Sequence, residues 1–313
     1  MKKIILFGGF GYIGLKLAKK LTELNYSIKI FAPNLKKTNA DFLNQIEKIK
    51  GSILNINEVK NAIDDVDCII NLAAKITKFG TNENILSELN INCGGQINIL
   101  EALKQKNKKT KNIFIGSRSQ FGKVKLEDMP ISEDYPQNPI SIYGIQKQTA
   151  EKYCKFYNNA YNVNTIIIRP VAVYGPGIDS EKENSVLNKL IRTSVNDEKF
   201  YIYGYGKDIK DFIYIDDLID AIILLIKTNI YDGTFNIGSG KGIIYKEIGN
   251  MILGKSKKEL LEYRDFPEDT KKFETGSFVA DITAIKKIGW VPKTDIKTGI
   301  EKTIKYYKKI KGN

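Results

Sequence analysis

Histidine is absent from this chain of 313 residues. The absence excludes nucleophile systems that need a histidine base and metal sites that need imidazole ligands. Any general acid or base must therefore be a tyrosine, lysine, aspartate, glutamate or cysteine. This narrows the available chemistry before any motif is considered.

Cysteines and long apolar runs are also scarce. Cys68, Cys93 and Cys154 are far apart and odd in number, which argues against a disulfide framework and against a four-cysteine zinc site. We expect buried free thiols in a reducing compartment. Apolar stretches such as Ala221–Ile226 fall far short of the roughly 20 residues that span a membrane. The sequence predicts a cytoplasmic protein with no membrane partner.

Acidic residues are outnumbered, since 36 Asp+Glu against 49 Lys+Arg give a formal net charge of +13. With 42% hydrophobic and 27% charged residues, the composition is that of a folded globular protein. The lysines are spread along the whole chain, and no arginine-rich or aromatic-interleaved stripe stands out. We therefore expect no nucleic-acid partner, only a mild attraction for anionic substrates.

The first half of the chain alternates short apolar strands with amphipathic helices. Ile4–Phe7 has the pattern of a buried strand, and Leu15–Leu24 carries apolar residues at helical spacing. The alternation continues through the predicted strands Tyr26–Phe31, Ile46–Lys50, Cys68–Leu72, Asn112–Ile115 and Thr165–Ile168, and the predicted helices Val59–Ile63, Ile91–Lys106 and Tyr143–Asn158. Such repetition predicts an α/β fold with a doubly wound parallel sheet of the Rossmann type.

This rhythm breaks after Tyr174–Gly177. The later part predicts helices at Asn184–Ser194 and Asp216–Lys227 and strands at Lys199–Tyr203 and Gly233–Ile237. We expect a smaller C-terminal lobe over the carboxyl edge of the sheet. The predicted boundaries are 1–175 with returning segments near 211–238 for the large domain, and 176–210 with 239–313 for the substrate-binding lobe.

A glycine-rich turn joins the first strand to the first helix. Its glycines are spaced G-x-x-G-x-x-G, so the backbone can turn sharply and approach a phosphate. The helix N-terminus that follows offers unpaired N–H groups and the positive end of a dipole. The context predicts a site for the pyrophosphate of a dinucleotide. The candidate binding residues in the turn are Gly8, Phe10, Gly11, Tyr12, Ile13 and Gly14.

The end of the second strand bears on the choice between NAD and NADP. An acidic residue there would accept hydrogen bonds from the ribose 2′-hydroxyl and indicate NAD. The chain has no acid in this segment, but Asn34 can bond a ribose hydroxyl. Lys36 and Lys37 can neutralise a 2′-phosphate or can be solvated surface charges. We expect NAD, and the residues leave NADP open.

A tyrosine and a lysine lie one turn apart on the predicted helix that begins at Tyr143. Lys147 falls on the same face as Tyr143. To act as a base near neutrality, a tyrosine must lose roughly 3 pKa units, or about 4 kcal/mol. We expect the ammonium of Lys147 to supply much of this. Ser117 follows the fifth predicted strand, so its hydroxyl should lie at the same sheet edge and share a substrate oxygen with Tyr143.

In this order, the glycine turn, Ser117, Tyr143 and Lys147 give the chain a resemblance to the extended short-chain dehydrogenase/reductases, specifically the nucleotide-sugar epimerase/dehydratase group. Further motifs extend the resemblance over nearly the whole length. They are Asn71–Ala74, Asn92–Ala102, Gly116–Gly122, Arg169–Pro176, Lys210–Asp217, Asn236–Gly240 and Gly289–Pro292.

The resemblance implies a mechanism. Tyr143, as phenolate, would take a proton from a sugar hydroxyl, commonly at C4, while hydride passes from that carbon to the nicotinamide. Lys147 would hold the nicotinamide ribose and lower the pKa of Tyr143, and Ser117 would bond the same sugar oxygen. The resemblance also places further residues at the cofactor, namely Leu72, Ala73, Ala74, Pro170 and Val173.

Departures from the family pattern bear on the reaction. The 4,6-dehydratases carry Asp-Glu directly after the serine or threonine, where this chain has Arg118 and Ser119. The epimerase-reductases that invert C3 and C5 rely on a cysteine and a histidine, and this chain has no histidine. What remains is redox at C4, by a 4-epimerase or a 4-dehydrogenase/4-ketoreductase. The alternative is a dehydratase or 2-epimerase of the same family, and a remote one is a non-catalytic dinucleotide-binding or RNA-associated protein.

On the substrate side, Arg118, Ser119, Asn184 and Lys210 are the candidates to hold a nucleotide sugar. Lys210 stands where the family has an arginine for the diphosphate, so the charge is kept and the bidentate fork is lost. Arg118 is a candidate to compensate by reaching the diphosphate or the sugar, or else is a surface or ion-pair arginine. Asn184 aligns with a family asparagine that contacts the diphosphate, and a further family asparagine is Ala172 here.

The resemblance also implies a homodimer. In it, the Ile91–Lys106 and Tyr143–Asn158 helices would pair with their symmetry mates into a four-helix bundle.

Overall fold

A computed structural model describes residues 2–35, 40–76, 84–106, 110–178, 185–254 and 258–312. The strands are β1 (Lys3–Phe7), β2 (Ser27–Ala32), β3 (Glu47–Lys50), β4 (Cys68–Asn71), β5 (Lys111–Ile115), β6 (Ile166–Pro170), β7 (Ala172–Tyr174), β8 (Phe200–Tyr203), β9 (Ile209–Lys210), β10 (Phe212–Tyr214), β11 (Gly233–Ile237), β12 (Ile243–Ile244) and β13 (Leu261–Arg264). The helices are α1 (Tyr12–Glu23), α2 (Ile56–Ile63), α3 (Ile85–Leu89), α4 (Gly95–Lys104), α5 (Ile142–Tyr161), α6 (Val186–Val195), α7 (Ile215–Lys227), α8 (Tyr245–Leu253), α9 (Glu268–Lys271), α10 (Thr283–Lys287) and α11 (Ile296–Lys311).

Seven strands form one parallel sheet in the order β3-β2-β1-β4-β5-β6-β11. The order reverses between β1 and β4, which makes a crevice at the carboxyl ends of these strands. The predicted doubly wound sheet of the Rossmann type is confirmed. Smaller pairs lie beside it, with β7 on β10, β8 on β13 and β9 on β12.

The central strands are apolar throughout because helices cover both faces of the sheet. Along β1, Ile4 and Leu6 point to the core under α1 and α7, while Ile5 and Phe7 point to the core under α2, α4 and α5. This alternation is the side-chain period of a strand, and it explains why continuous apolar runs in the sequence predicted buried strands correctly.

One predicted helix is longer and less regular than its sequence pattern indicated. The structure confirms helix over most of Ile91–Lys106, but α3 begins earlier and passes through a π-helical turn, Asn90–Gly94, before α4. Within this turn, Asn92 Nδ2 donates to the carbonyl of Lys75 at 2.8 Å. Asn92 Oδ1 accepts the N–H of the same residue, also at 2.8 Å. The π-helical turn therefore points the buried side-chain amide of Asn92 toward the segment after β4.

A further core lies beside the sheet, where α6 and α8 pack on β8 and α11 packs on α6 and α8. Leu187, Ile202, Ile248 and Ile300 are among its buried residues. Five residues of the predicted lobe, 176–210 with 239–313, pack in the large core, namely Phe278, Ala280, Ile282, Ile285 and Trp290. The two-domain division stays a prediction.

Cys68, Cys93 and Cys154 are buried, and none of them forms a disulfide. Among the described residues, no helix combines the length and the apolar character that crossing a membrane requires.

A buried ion pair joins the sheet to α5. Arg169 in β6 and Glu151 in α5 are each only 1% exposed. Arg169 donates to Glu151 through Nε at 2.9 Å and Nη2 at 2.5 Å. Gln120 Nε2 also donates to this carboxylate, at 2.7 Å. Burial alone would raise the pKa of Glu151, but the hydrogen bonds from Arg169 and its charge lower the pKa to about 2.

We expect Glu151→Gln to lower the free energy of unfolding by about 3–5 kcal/mol, because it leaves the Arg169 guanidinium buried without its counter-charge. Urea denaturation at neutral pH measures this. The matched control is Lys155→Gln, which removes a half-exposed cation from the same carboxylate. It should cost no more than about 1 kcal/mol.

The same pair predicts a pH dependence. The pKa of Glu151 is lower in the folded state than its ordinary value of 4.5, so its contribution is complete above pH 4.5 and is lost as the pH falls toward about 2. The stability difference between wild type and Glu151→Gln should shrink over this interval. A difference that stays constant down to pH 2 would contradict this interpretation.

Candidate active site

The carboxyl ends of three neighbouring strands converge on one edge of the sheet. β1 ends at Phe7, β4 at Asn71 and β5 at Ile115. The segments that follow are the glycine turn, Leu72–Ala74 and the Ser117 turn. All three therefore meet where the strand order reverses, which is where open α/β sheets bind ligands.

The glycine turn has the geometry of a phosphate cradle. Gly8 adopts φ +76°, and a Cβ there would lie 2.8 Å from the backbone N and Cα of Ala73. Gly11 precedes α1 in an extended conformation, and no side chain caps the helix in the part of the chain that is described. A Cβ on Gly14 would lie 2.6 Å from the carbonyl oxygen of Gly9. The turn therefore leaves uncapped N–H groups at a helix N-terminus, as a bound pyrophosphate requires.

Three other residues predicted in this turn contact the rest of the protein. Phe10 is buried in the large core, and Ile13 packs against it. The hydroxyl of Tyr12 donates to the carbonyl of Gly175 at 2.6 Å. Asn188 in α6 donates to the Tyr12 hydroxyl at 3.2 Å and to the Gly175 carbonyl at 2.8 Å. Tyr12 thus ties the glycine turn to the start of α6, which the sequence did not indicate.

The remaining predicted cofactor residues lie around this edge. Asn34 is exposed just beyond the end of β2, and Leu72, Ala73 and Ala74 follow β4. Pro170 ends β6, and Val173 lies in the short strand β7. The predicted residues Lys36, Lys37 and Asn184 lie outside the described residues.

The structure brings Ser117 and Tyr143 into contact. Ser117 caps the 3₁₀ turn Arg118–Phe121, where its Oγ accepts the N–H of Ser119 at 3.1 Å. Tyr143 lies in the first turn of α5, and its phenol is close enough to the Ser117 hydroxyl for Ser117 to lower the pKa of the phenol. A Cβ on Gly144 would lie 2.5 Å from the carbonyl oxygen of Ser119, so a glycine after Tyr143 lets α5 approach the serine turn.

Lys147 lies one turn further along α5 and is almost fully buried. Its Nζ donates to the carbonyl of Ile115 at 2.7 Å and lies 5.9 Å from the centroid of the Tyr143 ring. Burial lowers the pKa of Lys147 to about 8. The ammonium thereby links α5 to the end of β5. Ser117, Tyr143 and Lys147 form one cluster, as their positions in the sequence predicted.

The structure corrects one expectation about this cluster. The sequence predicted that Lys147 would lower the pKa of Tyr143. Burial instead raises the pKa of Tyr143 to about 12, opposed only by the hydrogen bond with Ser117. The reason is that the phenol is desolvated, whereas the ammonium is engaged by a backbone carbonyl. The polypeptide alone thus holds Tyr143 as a neutral phenol.

A hydrogen bond between two buried side-chain amides lies next to the cluster of Ser117, Tyr143 and Lys147. Asn92 Nδ2 donates to Gln146 Oε1 at 2.7 Å, and Asn92 also holds the backbone of Lys75. The segment after β4 is thereby fixed to the α5 residue beside Lys147. The sequence motif contained Asn92 but did not show this partner, because Gln146 lies 54 positions away.

On the substrate side, Arg118 and Lys210 lie in a common group of charges with Asp208 and Glu274, which we call the charge cluster. Lys210 Nζ lies 2.9 Å from Glu274 Oε1 and 3.2 Å from Asp208 Oδ2. Burial lowers the pKa of Arg118, and the charges of Glu274 and Asp208 oppose this. Neither acid was predicted from the sequence: Asp208 lies two positions before Lys210, and Glu274, 64 positions away, is brought there by the fold.

A buried carboxylate holds the backbone next to the charge cluster. Asp211 accepts the N–H of Ser239 at 2.9 Å, of Gly240 at 3.2 Å and of Ala280 at 3.1 Å. Burial raises the pKa of Asp211 to about 6, although these hydrogen bonds lower it. This explains why the Lys210–Asp217 and Asn236–Gly240 motifs occur together, since the first supplies the acceptor and the second the donors.

Comparisons with known proteins find relatives similar in sequence and in fold. A protein of Methanocaldococcus jannaschii, provisionally named a UDP-glucose 4-epimerase, is 29% identical over 310 residues, which cover 97% of this chain and 98% of that protein. The crystal structure of the Thermotoga maritima UDP-glucose 4-epimerase with UDP-glucose has a TM-score of 0.85 at 25% identity and covers 98% of this chain and 99% of its own. The UDP-glucuronic acid 4-epimerase of Bacillus cereus in complex with NAD has a TM-score of 0.81 at 25% identity, with the same coverage.

A family model matches residues 4–238, which is well over half of the chain and includes the glycine turn, Ser117, Tyr143 and Lys147. The protein therefore belongs to the NAD dependent epimerase/dehydratase family.

Proposed function

We propose that the protein is an NAD-dependent nucleotide-sugar oxidoreductase that transfers hydride at C4, as a 4-epimerase or as a 4-dehydrogenase/4-ketoreductase. The observation that carries this proposal is the contact between Tyr143 and Ser117, with Lys147 beside them, at the edge where the glycine turn lies. The names of the relatives support a nucleoside-diphosphate sugar as the substrate.

The glycine turn and the segment after β4 are the elements that would hold NAD. The N–H groups at the start of α1 suit the pyrophosphate, and the exposed Asn34 suits the adenosine ribose. Lys147 uses one of its three N–H donors on Ile115, so the others can bond the nicotinamide ribose. Bound NAD supplies a hydride acceptor and a positive charge beside the phenol.

The residues at the site divide the proton chemistry between them. Tyr143 Oη removes the proton of the sugar hydroxyl at C4 and returns it when the carbonyl is reduced. Ser117 Oγ bonds the same sugar oxygen and stabilises the phenolate. Because burial raises the pKa of Tyr143 further above neutral pH, its ionisation depends on the positive charge that arrives with the cofactor.

We expect Tyr143→Phe to lower kcat by about 10²–10⁴-fold, which is the usual contribution of a general base. NMR of UDP-glucose and UDP-galactose mixtures follows epimerisation, and absorbance of the reduced nicotinamide follows net oxidation. Tyr153→Phe on the same helix is the matched control and should retain the wild-type rate. Undiminished turnover in Tyr143→Phe would refute the mechanism.

The cradle can be tested separately from the chemistry. Gly8→Ala forces a side chain against the backbone of Ala73 in a left-handed conformation, a strain of about 1–3 kcal/mol before the clash is counted. The turn must shift, and we expect NAD to bind at least about ten-fold more weakly as its N–H groups move. Calorimetric titration with NAD and NADP measures this and establishes which of the two is preferred.

Gly312→Ala is the control for that titration, since its Cβ would meet nothing closer than 3.6 Å. Equal NAD affinity in Gly8→Ala and wild type would remove the glycine turn from the cofactor site.

We further propose a homodimer formed by α3, α4 and α5. These helices pack side by side and carry large exposed apolar side chains, including Leu86 at 73%, Phe156 at 55% and Ile145 at 49% exposure. Pairing with a second copy would build a four-helix bundle and remove this apolar surface from water.

Light scattering coupled to size-exclusion chromatography tests the dimer. Wild type should elute at twice the mass of the chain, and Phe156→Asp should shift the protein toward the monomer because it places a charge in the apolar contact. Leu126→Asp is the control, since Leu126 is 61% exposed and lies outside these helices. A monomeric wild-type protein would overturn the proposal.

A further inference from the structure

We infer that Arg118 is a specificity-determining residue that selects a sugar carrying a carboxylate on its ring, as a uronic acid does. The inference rests on the proposed function and adds to it the chemical class of the sugar. It starts from Nη1 of Arg118, a buried donor that has no hydrogen-bond partner among the described residues.

Within the described part of the chain, the buried Nη1 of Arg118 has no hydrogen-bond partner. The guanidinium lies over the ring of Phe278, with 5.5 Å between Cζ and the ring centroid. Burial lowers the pKa of Arg118, so the charge is partly deprived of water. A desolvated cation with unused donors is costly unless an anion completes it. The site is therefore incomplete without a ligand.

The nearby acids do not complete it. Asp208 and Glu274 act on Arg118 through their charge. Both carboxylates are engaged by Lys210, at 3.2 Å and 2.9 Å. Lys210 Nζ also donates to the carbonyl of Gly276, at 2.8 Å. Lys210 is thus engaged by the protein, whereas Nη1 of Arg118 has no partner in the described part of the chain and can donate to a ligand.

The position of Arg118 favours the sugar ring over the diphosphate. Arg118 directly follows Ser117, which would bond the oxygen on the reacting carbon, so the Arg118 side chain starts at the sugar end of the site and can extend toward substituents on the neighbouring ring carbons. The diphosphate is attached at the anomeric carbon, on the other side of the ring from C4. A guanidinium that starts beside Ser117 is therefore placed to read the sugar itself.

Charge balance favours a carboxylate. The charge cluster holds two cations, Arg118 and Lys210, and two acids, Asp208 and Glu274, so it is neutral as a whole. One carboxylate matches the fork of one guanidinium through two parallel hydrogen bonds. A diphosphate would bring two negative charges to a cluster that already contains two carboxylates. A neutral hydroxymethyl group could accept a hydrogen bond but would leave the charge unpaired.

The test compares a matched pair of ligands, UDP-glucuronate and UDP-glucose, with UDP as the probe for the diphosphate. We expect wild type, loaded with NAD, to favour UDP-glucuronate in kcat/KM by about 10- to 100-fold, the usual range for hydrogen bonds to a charged group. Arg118→Gln should abolish this preference while the affinity for UDP, measured by calorimetry, changes less than two-fold. Arg118→Lys should retain part of the preference, since it keeps the charge without the fork.

Two results would overturn the inference. One is a wild-type enzyme that turns over UDP-glucose as well as or better than UDP-glucuronate, which requires no variant and leaves the proposed function standing. The other is an Arg118→Gln protein that loses UDP and UDP-glucuronate affinity by the same factor, which would assign the guanidinium to the diphosphate. If neither nucleotide sugar binds or reacts, the proposed function falls together with the inference.

Discussion

The ion pair between Arg169 and Glu151 holds together the elements on which the site is built. Arg169 belongs to β6 and Glu151 to α5, and the Gln120 that shares this carboxylate accepts the N–H of Ser117 at 2.9 Å. Tyr143 lies about two turns before Glu151 on the same helix. One buried carboxylate thereby sets the position of both hydroxyl groups. A buried ion pair adds little net stability over an apolar contact, so what it contributes here is orientation.

Burial disfavours the charged form of three titratable groups at this edge, Tyr143, Lys147 and Arg118. It raises the pKa of Tyr143 and lowers the pKa of Lys147 and of Arg118, so every one of these groups is driven toward its neutral form. In a poorly solvated site of this kind, each interaction with an ionic ligand is strong, because water screens it only weakly. Charged ligands would stabilise the ionised forms of these groups, which burial disfavours.

The sequence predicts the sheet and the three clustered residues well, because both depend on local pattern. Strands buried on both faces give continuous apolar runs, and Tyr143 and Lys147 share a helix face by spacing alone. The partners of Lys210 escape prediction, since Glu274 lies 64 positions away and only the tertiary fold joins them. The pKa of Tyr143 escapes it too, because it depends on the depth of burial. Phe278 and Trp290 pack in the large core, although the sequence predicted that residues 239–313 belong to the substrate-binding lobe.

Tyr12 belongs to the glycine turn, yet its hydroxyl forms hydrogen bonds with Gly175 and with Asn188 in the first turn of α6. A phenylalanine would occupy the same space and leave these bonds unmade. Because of them, the first turn of α1 cannot withdraw from a bound dinucleotide without also breaking the anchorage of α6. Displacement of the first turn of α1 and loosening of α6 are thus linked, because each requires these shared hydrogen bonds to break.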